Sequence, residues 1–475
     1  MNAAMTEALC RQLPQLGRLL EEDGVRDLTR TWPRESVVDL ARGLLQQLRQ
    51  QALAGLHSEE SLRGAIEQLP AALSHELQRA NRPSLRRVIN ATGVLLQTNL
   101  GRAPLSEAAI RAMEQVARGY CNLEFDLKTG KRGRRDAHTE ELILRLLTLR
   151  SGQSMEGKAA TVVNNCAAAT FLALNSLAEG GEVIVSRGEL VEIGGGFRVP
   201  EILRKSGAVL REVGTTNRTR VSDYAAAITP QTRLILRVHR SNFRVDGFTQ
   251  QPRIEELVAL GAKASVPVFE DQGTGCVVRL EDSGIREESS WVRSAASRLS
   301  LVSASGDKLL GGPQCGILVG ERALVERIRA NPLARALRPD KLTFAALQAT
   351  LLAYVAGQEE SIPVIGMLRI SAGELRERCD ALSERLRELG WLAETVAVRS
   401  LVGGGTTPGA SLPGFAVALS HPTMTEGDLS GALRRLDPPV IARTRRGRVL
   451  LDLRTVARED DATLRRLLEN PEPHA

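Results

Sequence analysis

Short apolar strands alternate with helical segments between about residue 158 and residue 320, and this alternation limits the fold more than any other feature of the sequence. Strands joined by helices form mainly parallel sheets with helices on both faces, which predicts an α/β architecture. The strands are predicted at residues 160–163, 182–186, 209–213, 234–238, 266–269 and 299–303. Ligands of such sheets bind beyond the carboxyl ends of the strands, so we look for functional residues there.

The segments on either side of this alternation have different patterns. Residues 1–85 carry leucines at helical spacing and are predicted to form a helical domain, which either packs against another subunit or docks a large substrate. Residues 86–344 form the α/β domain, which begins with a polar, glycine-punctuated ordered loop at 88–106. Residues 345–475 alternate helices with three candidate strands and are predicted to form a small α+β domain.

Composition excludes several classes of protein and site. No apolar run approaches the roughly 18 residues of a membrane-spanning helix, and the first residues lack a signal-peptide pattern, which predicts a cytoplasmic protein. Six cysteines without a CxxC pair and six scattered histidines predict neither a metal site nor a disulfide framework. The net charge of +7 over 475 residues is compatible with a polyanionic partner without requiring one.

Lys308 stands in a loop of small residues, between Ser303-Ala304-Ser305-Gly306-Asp307 and Leu309-Leu310-Gly311-Gly312-Pro313. Apolar stretches on both sides predict a strand, a tight loop and a second strand. The chain has seven lysines against fifty-six arginines, so a lysine here calls for a reason beyond the plain alternative of a solvated surface position. The pKa of a lysine falls readily on burial, which suits the amine of Lys308 to a Schiff base.

Two other predicted strands end in features that complement this lysine. Asp271 closes an apolar strand, and Asn165-Cys166-Ala167-Ala168 opens a helix whose backbone N–H groups could face a phosphate. A phosphate cradle, a carboxylate for the pyridine nitrogen and a lysine amine are the parts that pyridoxal 5'-phosphate requires. Together, in this order, they predict an aspartate-aminotransferase-like (fold-type I) pyridoxal-phosphate enzyme.

Two polar elements have less specific interpretations. Ser241 and Asn242 are candidates to contact the phenolic oxygen of the cofactor, although a cap at the end of a strand explains them equally well. The basic cluster Lys131 to Arg135 is either a solvated loop or an anion-binding loop.

The sequence resembles the bacterial selenocysteine synthases, the L-seryl-tRNA(Sec) selenium transferases, over nearly its whole length. Among the shared motifs are Ile89-Asn90-Ala91-Thr92-Gly93 and Ser186-Arg187-Gly188-Glu189-Leu190. Cys166 stands where relatives can carry asparagine. Further matching stretches are residues 98–103, 191–195, 212–219, 305–314 and 335–338.

The resemblance implies an activity and roles for individual residues. The substrate would be serine esterified to tRNA(Sec), and selenophosphate would supply the selenium. Lys308 would hold the cofactor and then act as the base that removes the α-proton of serine. Arg102, Arg335 and Arg338 would bind the selenium donor, and the last two would share a helix face because they are three residues apart.

The resemblance also implies how the enzyme is organised. The helical N-terminus would read the body of the tRNA, mainly by shape and backbone contacts. The subunits would form a ring of five dimers, a decamer, with no membrane or DNA partner. Two alternatives stay open: a pyridoxal-phosphate lyase acting on a free amino acid, which would not need the N-terminal domain, and a non-catalytic tRNA-binding paralogue, which would have lost Lys308 or Asp271.

Overall fold

The computed structural model describes residues 3–193, 196–285 and 290–469. Residues 194 and 195, at the end of a matching stretch named above, therefore lie outside the described residues. The chain divides into two units, Met1–Arg87 and Val88–Ala475.

The first unit is built from helices that bury a leucine-rich core. Leu69, Leu73 and Leu77 follow one another at i, i+4 spacing, so they line one face of α6 and pack with Leu19 and Val25. Ser58 begins α5, because its hydroxyl accepts a hydrogen bond from the backbone N–H of Ser61. The helices are α1 (Ala3–Cys10), α2 (Leu16–Glu21), α3 (Asp23–Thr31), α4 (Arg34–Leu53), α5 (Glu59–Glu67) and α6 (Leu69–Ala80).

The second unit contains both strands and helices. The strands are β1 (Ile89–Ala91), β2 (Val94–Leu96), β3 (Lys158–Val163), β4 (Glu182–Ser186), β5 (Glu192–Ile193), β6 (Phe197–Arg198), β7 (Val209–Val213), β8 (Thr232–Val238), β9 (Val268–Asp271), β10 (Leu301–Ser305), β11 (Gly316–Glu321), β12 (Leu392–Gly403), β13 (Ser411–Ser420), β14 (Val440–Arg445) and β15 (Arg448–Asp452). The helices are α7 (Glu107–Ala117), α8 (Glu140–Ser151), α9 (Cys166–Ala178), α10 (Val199–Lys205), α11 (Val221–Ala227), α12 (Ile254–Ala264), α13 (Trp291–Ala296), α14 (Arg322–Ala330), α15 (Leu333–Ala336), α16 (Lys341–Val355), α17 (Pro363–Arg369), α18 (Ala372–Glu388), α19 (Glu426–Arg435) and α20 (Asp461–Glu469).

A seven-stranded sheet forms the centre of the second unit, in the order β3-β11-β10-β9-β8-β4-β7. Strands β10, β9, β8, β4 and β7 pair in parallel, and β11 runs antiparallel to both of its neighbours. Successive residues of a strand point to opposite faces, so Ile235 joins one hydrophobic cluster while Leu234 and Leu236 join the other. The mainly parallel sheet with a core on each face confirms the predicted α/β class.

A six-stranded sheet has the order β1-β14-β15-β13-β12-β2. Four of its strands come from the C-terminal part of the chain, and β1 and β2 come from the start of the second unit. Strands β1 and β2 pair in parallel with β14 and β12, so residues 89–96 complete a sheet otherwise built from residues 392–452. The interpretation of 88–106 as an ordered loop therefore misses these strands. They are three residues long each and separated by the left-handed Gly93, which leaves too short a pattern to recognise.

The described part of the chain contains no helix that is long and apolar enough to cross a membrane. Within those same residues, no group of three or more histidine, cysteine or acidic side chains is placed to hold a metal ion. The six cysteines are free thiols.

Candidate active site

A cavity of about 290 Å³ opens where β3, β8, β9 and β10 end. Parallel strands bring their carboxyl ends to one edge, which is why residues far apart in sequence meet there. Larger cavities exist in the second unit, but both Lys308 and Asp271 line this cavity. The predicted site residues that line it are Arg102, Asn165, Cys166, Ala167, Ser241, Asp271 and Lys308.

Lys308 lies in the tight loop that joins β10 to β11, and only 7% of its surface is exposed. Its Nζ donates a hydrogen bond of 2.8 Å to the backbone carbonyl of Gly405, in the segment that connects β12 to β13. Burial lowers the pKa of the Lys308 amine, since desolvation disfavours its charged form. A lysine in this setting keeps more of its amine in the neutral, nucleophilic form than a solvated lysine does.

Asp271, at the last position of β9, is held by hydroxyl groups on both of its carboxylate oxygens. Oδ1 accepts a hydrogen bond of 2.7 Å from Ser303 Oγ, and Oδ2 accepts one of 3.0 Å from Thr170 Oγ1. The Cys166 thiol lies 3.7 Å from Oδ1, and burial raises the pKa of that thiol, which keeps it protonated. The carboxylate is therefore fixed in orientation before any ligand binds.

The N-terminus of α9 forms a second wall of the cavity. Asn165 caps this helix, because its Oδ1 accepts a hydrogen bond of 2.8 Å from the backbone N–H of Ala168. Cys166 and Ala167, the first two residues of the helix, line the cavity, whereas Ala168 is not among the lining residues. The first-turn N–H groups of Cys166 and Ala167 are thus the part of the predicted phosphate cradle that faces the cavity.

The two polar candidates after β8 occupy different environments. Ser241 is 4% exposed, lines the cavity, and its Oγ has no hydrogen-bond partner within the part of the chain that the structure describes. Asn242 is exposed and donates a hydrogen bond of 2.6 Å to the carbonyl of Glu192. The structure therefore brings Ser241, but not the side chain of Asn242, to the cavity.

Arg102 reaches the same cavity from the segment after β2. Its Nη1 forms an ion pair of 2.7 Å with Asp307 Oδ2, next to Lys308, and the Asp307 carboxylate also accepts a hydrogen bond from Ser305. Arg102 has a φ of 64°, in the left-handed region that few residues other than glycine adopt. The ion pair and the strained backbone hold this guanidinium beside the lysine.

Arg335 and Arg338 line a different cavity, of about 410 Å³, which shares no lining residue with the cavity of Lys308. Arg335 belongs to α15, which ends at Ala336, so Arg338 lies beyond the helix and not on its face. The Nη1 of Arg338 is 3.3 Å from Glu124 Oε1. Within one chain, the three arginines expected at a selenium-donor site are divided between two cavities.

Two arginines of the basic cluster at 131–135 contact the same Glu124. Arg135 Nε and Arg132 Nη2 each lie 2.7 Å from an oxygen of this carboxylate. The hydrogen bond from Arg135 is the main reason that the pKa of Glu124 is lowered. Two carboxyl groups, those of Glu124 and Asp136, line the 410 Å³ cavity beside six guanidinium groups, and the resulting excess of positive charge suits an anion.

Several residues of the site were not found from the sequence. Thr170 and Ser303 orient Asp271, and His239 Nε2 lies 3.0 Å from the carbonyl of Thr406. Thr170 follows Cys166 by four residues, so helical spacing could have placed it on the same face of α9. Gly405 could not be identified from the sequence, because it contributes a backbone carbonyl to the site and no side chain.

Comparison with known proteins gives consistent results over nearly the whole chain. Residues 88–457 match the family model described as L-seryl-tRNA selenium transferase, and residues 10–49 match the one described as selenocysteine synthase N terminal. The L-seryl-tRNA(Sec) selenium transferase of Aquifex aeolicus is 43% identical, over 98% of this chain and 99% of that protein. The protein of the same name from Geobacter sulfurreducens is 45% identical, over 95% of this chain and 96% of that protein.

Among solved structures, D-glucosaminate-6-phosphate ammonia-lyase superposes with a TM-score of 0.57 at 20% identity, over 83% of this chain and 97% of that one. An aspartate aminotransferase from Thermus thermophilus gives a TM-score of 0.42 at 20% identity, over 85% and 95% of the two chains. The superposition on the ammonia-lyase, together with the mainly parallel sheet, confirms the predicted α/β fold at the level of its architecture. On the strength of its family match and its relatives, the chain belongs to the L-seryl-tRNA selenium transferase family.

Proposed function

We propose that this protein converts L-seryl-tRNA(Sec) to L-selenocysteinyl-tRNA(Sec), with pyridoxal 5'-phosphate as cofactor and selenophosphate as selenium donor. The observation that carries the proposal is the placement of the Lys308 amine in one cavity with the fixed carboxylate of Asp271 and the N-terminus of α9. Membership of the family favours this reaction over that of a lyase acting on a free amino acid.

The residues of the cavity fit the cofactor. Lys308 offers a buried amine of lowered pKa, and the first turn of α9 offers backbone N–H groups to a phosphate. Ser241 Oγ, buried and without a partner among the described residues, supplies a hydroxyl for a phenolic oxygen. We assign the cofactor site to Lys308, Asp271 and Ser241 with the first turn of α9.

Bound in this cavity, the cofactor would supply an electron sink for the α-carbon of serine. Asp271 would keep a proton on the pyridine nitrogen, because its carboxylate is oriented by Ser303 and Thr170. The Lys308 amine would take the α-proton of serine, and its neutral form makes it a competent base. Gly405 would orient that amine through its carbonyl. The proton taken up by Lys308 could then pass to the serine hydroxyl, which would leave as water and open the β-carbon to selenium.

Selenophosphate is anionic, so we place it against arginines. Arg102 lies beside Lys308, and Arg335 and Arg338 remain our candidates in the 410 Å³ cavity. The two cavities share no lining residue within one chain, and a neighbouring subunit could bring the arginines of one cavity to the lysine of another. We propose a homo-oligomer in which active sites are shared between subunits, and the family resemblance implies that this oligomer is a ring of five dimers.

The remaining parts of the proposal concern the tRNA and the compartment. The helical unit Met1–Arg87 would dock the body of tRNA(Sec), since RNA of this kind is recognised largely by shape and backbone contacts. The enzyme would work in the cytoplasm, where aminoacylated tRNA is used.

The decisive experiment supplies the purified, cofactor-loaded protein with seryl-tRNA(Sec) and selenophosphate and measures selenocysteinyl-tRNA(Sec). We expect product with the wild type, and none with Lys308→Ala, which should also lose the visible absorbance of the lysine-bound cofactor. Lys263→Ala, an exposed lysine in the last turn of α12, is the matched control and should behave as wild type. A wild type that makes no product, or an active Lys308→Ala variant, would refute the proposal.

A further inference from the structure

We propose that a second cavity, next to that of Lys308, receives the 3′-terminal nucleotides of the tRNA substrate; this inference rests on the proposed function. The second cavity measures about 970 Å³ and shares Val238 and His239 with the cavity of Lys308. The serine is esterified to the terminal ribose, so a nucleotide must lie directly beside the reacting amino acid. A cavity that adjoins the lysine and exceeds the volume of an amino acid is the natural place for it.

The second cavity contains a buried carboxyl group, that of Glu270, with one unsatisfied oxygen. Glu270 precedes Asp271 on β9, so its side chain points to the opposite face of the sheet. It is 3% exposed, and its Oε2 accepts no hydrogen bond within the described ranges of the chain. The Ser294 hydroxyl also lines the cavity, and its Oγ is buried without a hydrogen-bond partner among the described residues. Buried polar groups are normally satisfied, so this pair indicates a ligand with hydrogen-bonding groups.

The same cavity has an excess of positive charge, because five arginines and three acidic residues (Asp246, Glu255 and Glu270) line it. Arg240, Arg293 and Arg399 line it, and none of them forms an ion pair with a residue that the structure describes. Arg240 and Arg399 are instead held by neutral groups, the carbonyl of Gly188 and the hydroxyl of Ser411. Guanidinium groups positioned in this way suit the phosphates of a nucleic acid backbone.

An aromatic ring completes the set of groups that a single-stranded nucleotide requires. Phe243 lines the cavity and is 37% exposed, with the guanidinium carbon of Arg240 at 5.9 Å from the centre of its ring. Unpaired bases stack on exposed aromatic rings and arginine planes, and their edges form hydrogen bonds with polar side chains. A simple anion would leave Glu270 unsatisfied, and an apolar ligand would leave the arginines unpaired, whereas a nucleotide satisfies both.

The test measures binding of the trinucleotide cytidine-cytidine-adenosine, the 3′ sequence that mature tRNAs share, to the full-length, cofactor-loaded protein. We expect Phe243→Ala and Glu270→Gln each to weaken binding by on the order of tenfold. Phe248→Ala removes an aromatic ring that is 92% exposed and outside the cavity, and it should bind like the wild type. The visible absorbance of the cofactor shows whether each variant has folded, and Phe243→Ala keeps the test valid should Glu270→Gln fail to fold.

The outcomes separate this inference from the proposed function. Loss of trinucleotide affinity in the two cavity variants supports the inference even if no selenium is transferred. A wild type that makes selenocysteinyl-tRNA but does not bind the trinucleotide at millimolar concentration overturns the inference alone. It is also overturned if Phe248→Ala weakens binding as much as Phe243→Ala, or if inorganic phosphate occupies the cavity without being displaced by the trinucleotide.

Discussion

The substitution Gly316→Ala tests whether the N-terminus of α9 has to lie where the structure places it. Gly316 begins β11, and a Cβ added there would press on the Asn165 carbonyl, 2.6 Å from its carbon and 2.9 Å from Ala169 Cβ. Carbon atoms in contact normally lie about 3.5–4.0 Å apart, so the first turn of α9 would have to retreat by roughly 1 Å. Overpacking of this kind costs about 1–3 kcal/mol.

We expect that cost to appear mainly as weaker cofactor binding. Without cofactor, the first turn of α9 can shift and relieve the contact, but in the loaded enzyme its N–H groups must face the phosphate. A penalty of about 1–3 kcal/mol corresponds to a loss of roughly 5- to 150-fold in affinity. The assay is a titration of the cofactor-free protein with pyridoxal phosphate, followed by visible absorbance.

Gly320→Ala is a matched control at the other end of the same strand. A Cβ at Gly320 would be crowded to a similar degree, against the Ser300 carbonyl and 2.9 Å from Leu301 Cα, but at the edge of the sheet opposite to the cavity. This variant should lose about 1–3 kcal/mol of stability while keeping its affinity for the cofactor. Equal losses of affinity in the two variants, or wild-type affinity in Gly316→Ala, would refute the role given to α9.

Two further predictions concern the lysine and the arginines. Burial lowers the pKa of Lys308, and the neutral amine is the reactive form, so the rate of cofactor attachment should rise with pH. The rise should have its midpoint below pH 10.4, which is about the pKa of a free lysine. A midpoint at or above that pH, measured by stopped-flow absorbance, would contradict this. If active sites are shared, mixing and reassembling the inactive variants Lys308→Ala and Arg338→Ala should restore selenium transfer. Mixtures that stay inactive after subunit exchange would place Arg338 outside the shared site.

The parallel sheet and the residues at its edge could be predicted because strong local patterns encode them. The strands that end at Val238 and Asp271 are largely buried, and each contains a short apolar run, Leu234 to Leu236 and Val268 to Phe269, followed by a charged residue. The rule that ligands bind at the carboxyl ends of parallel strands then brought Lys308, Asp271 and α9 to one place.

The remaining parts could not be predicted, because they depend on long-range packing or on backbone atoms. Strand β12 is not predicted from the sequence, because small residues such as Ala393 and Ser400 occupy several of its buried positions. Large apolar side chains therefore do not alternate along it. The carbonyl of Gly405 has no side-chain signature. The division of the arginines between two cavities depends on long-range packing. Helical spacing alone could not reveal that α15 ends before Arg338.

The pairing of the first strands of the second unit with the last ones has a consequence for biosynthesis. Ile89 pairs with Val440, so β1 leaves the ribosome long before its partner strand has been made. At about 5–20 residues per second, that delay amounts to roughly 20 to 70 seconds. During this interval the motif around Asn90 has no sheet to join, and the nascent chain exposes two unpaired strands. Chaperone occupancy on translating ribosomes should therefore persist until residues beyond 440 emerge.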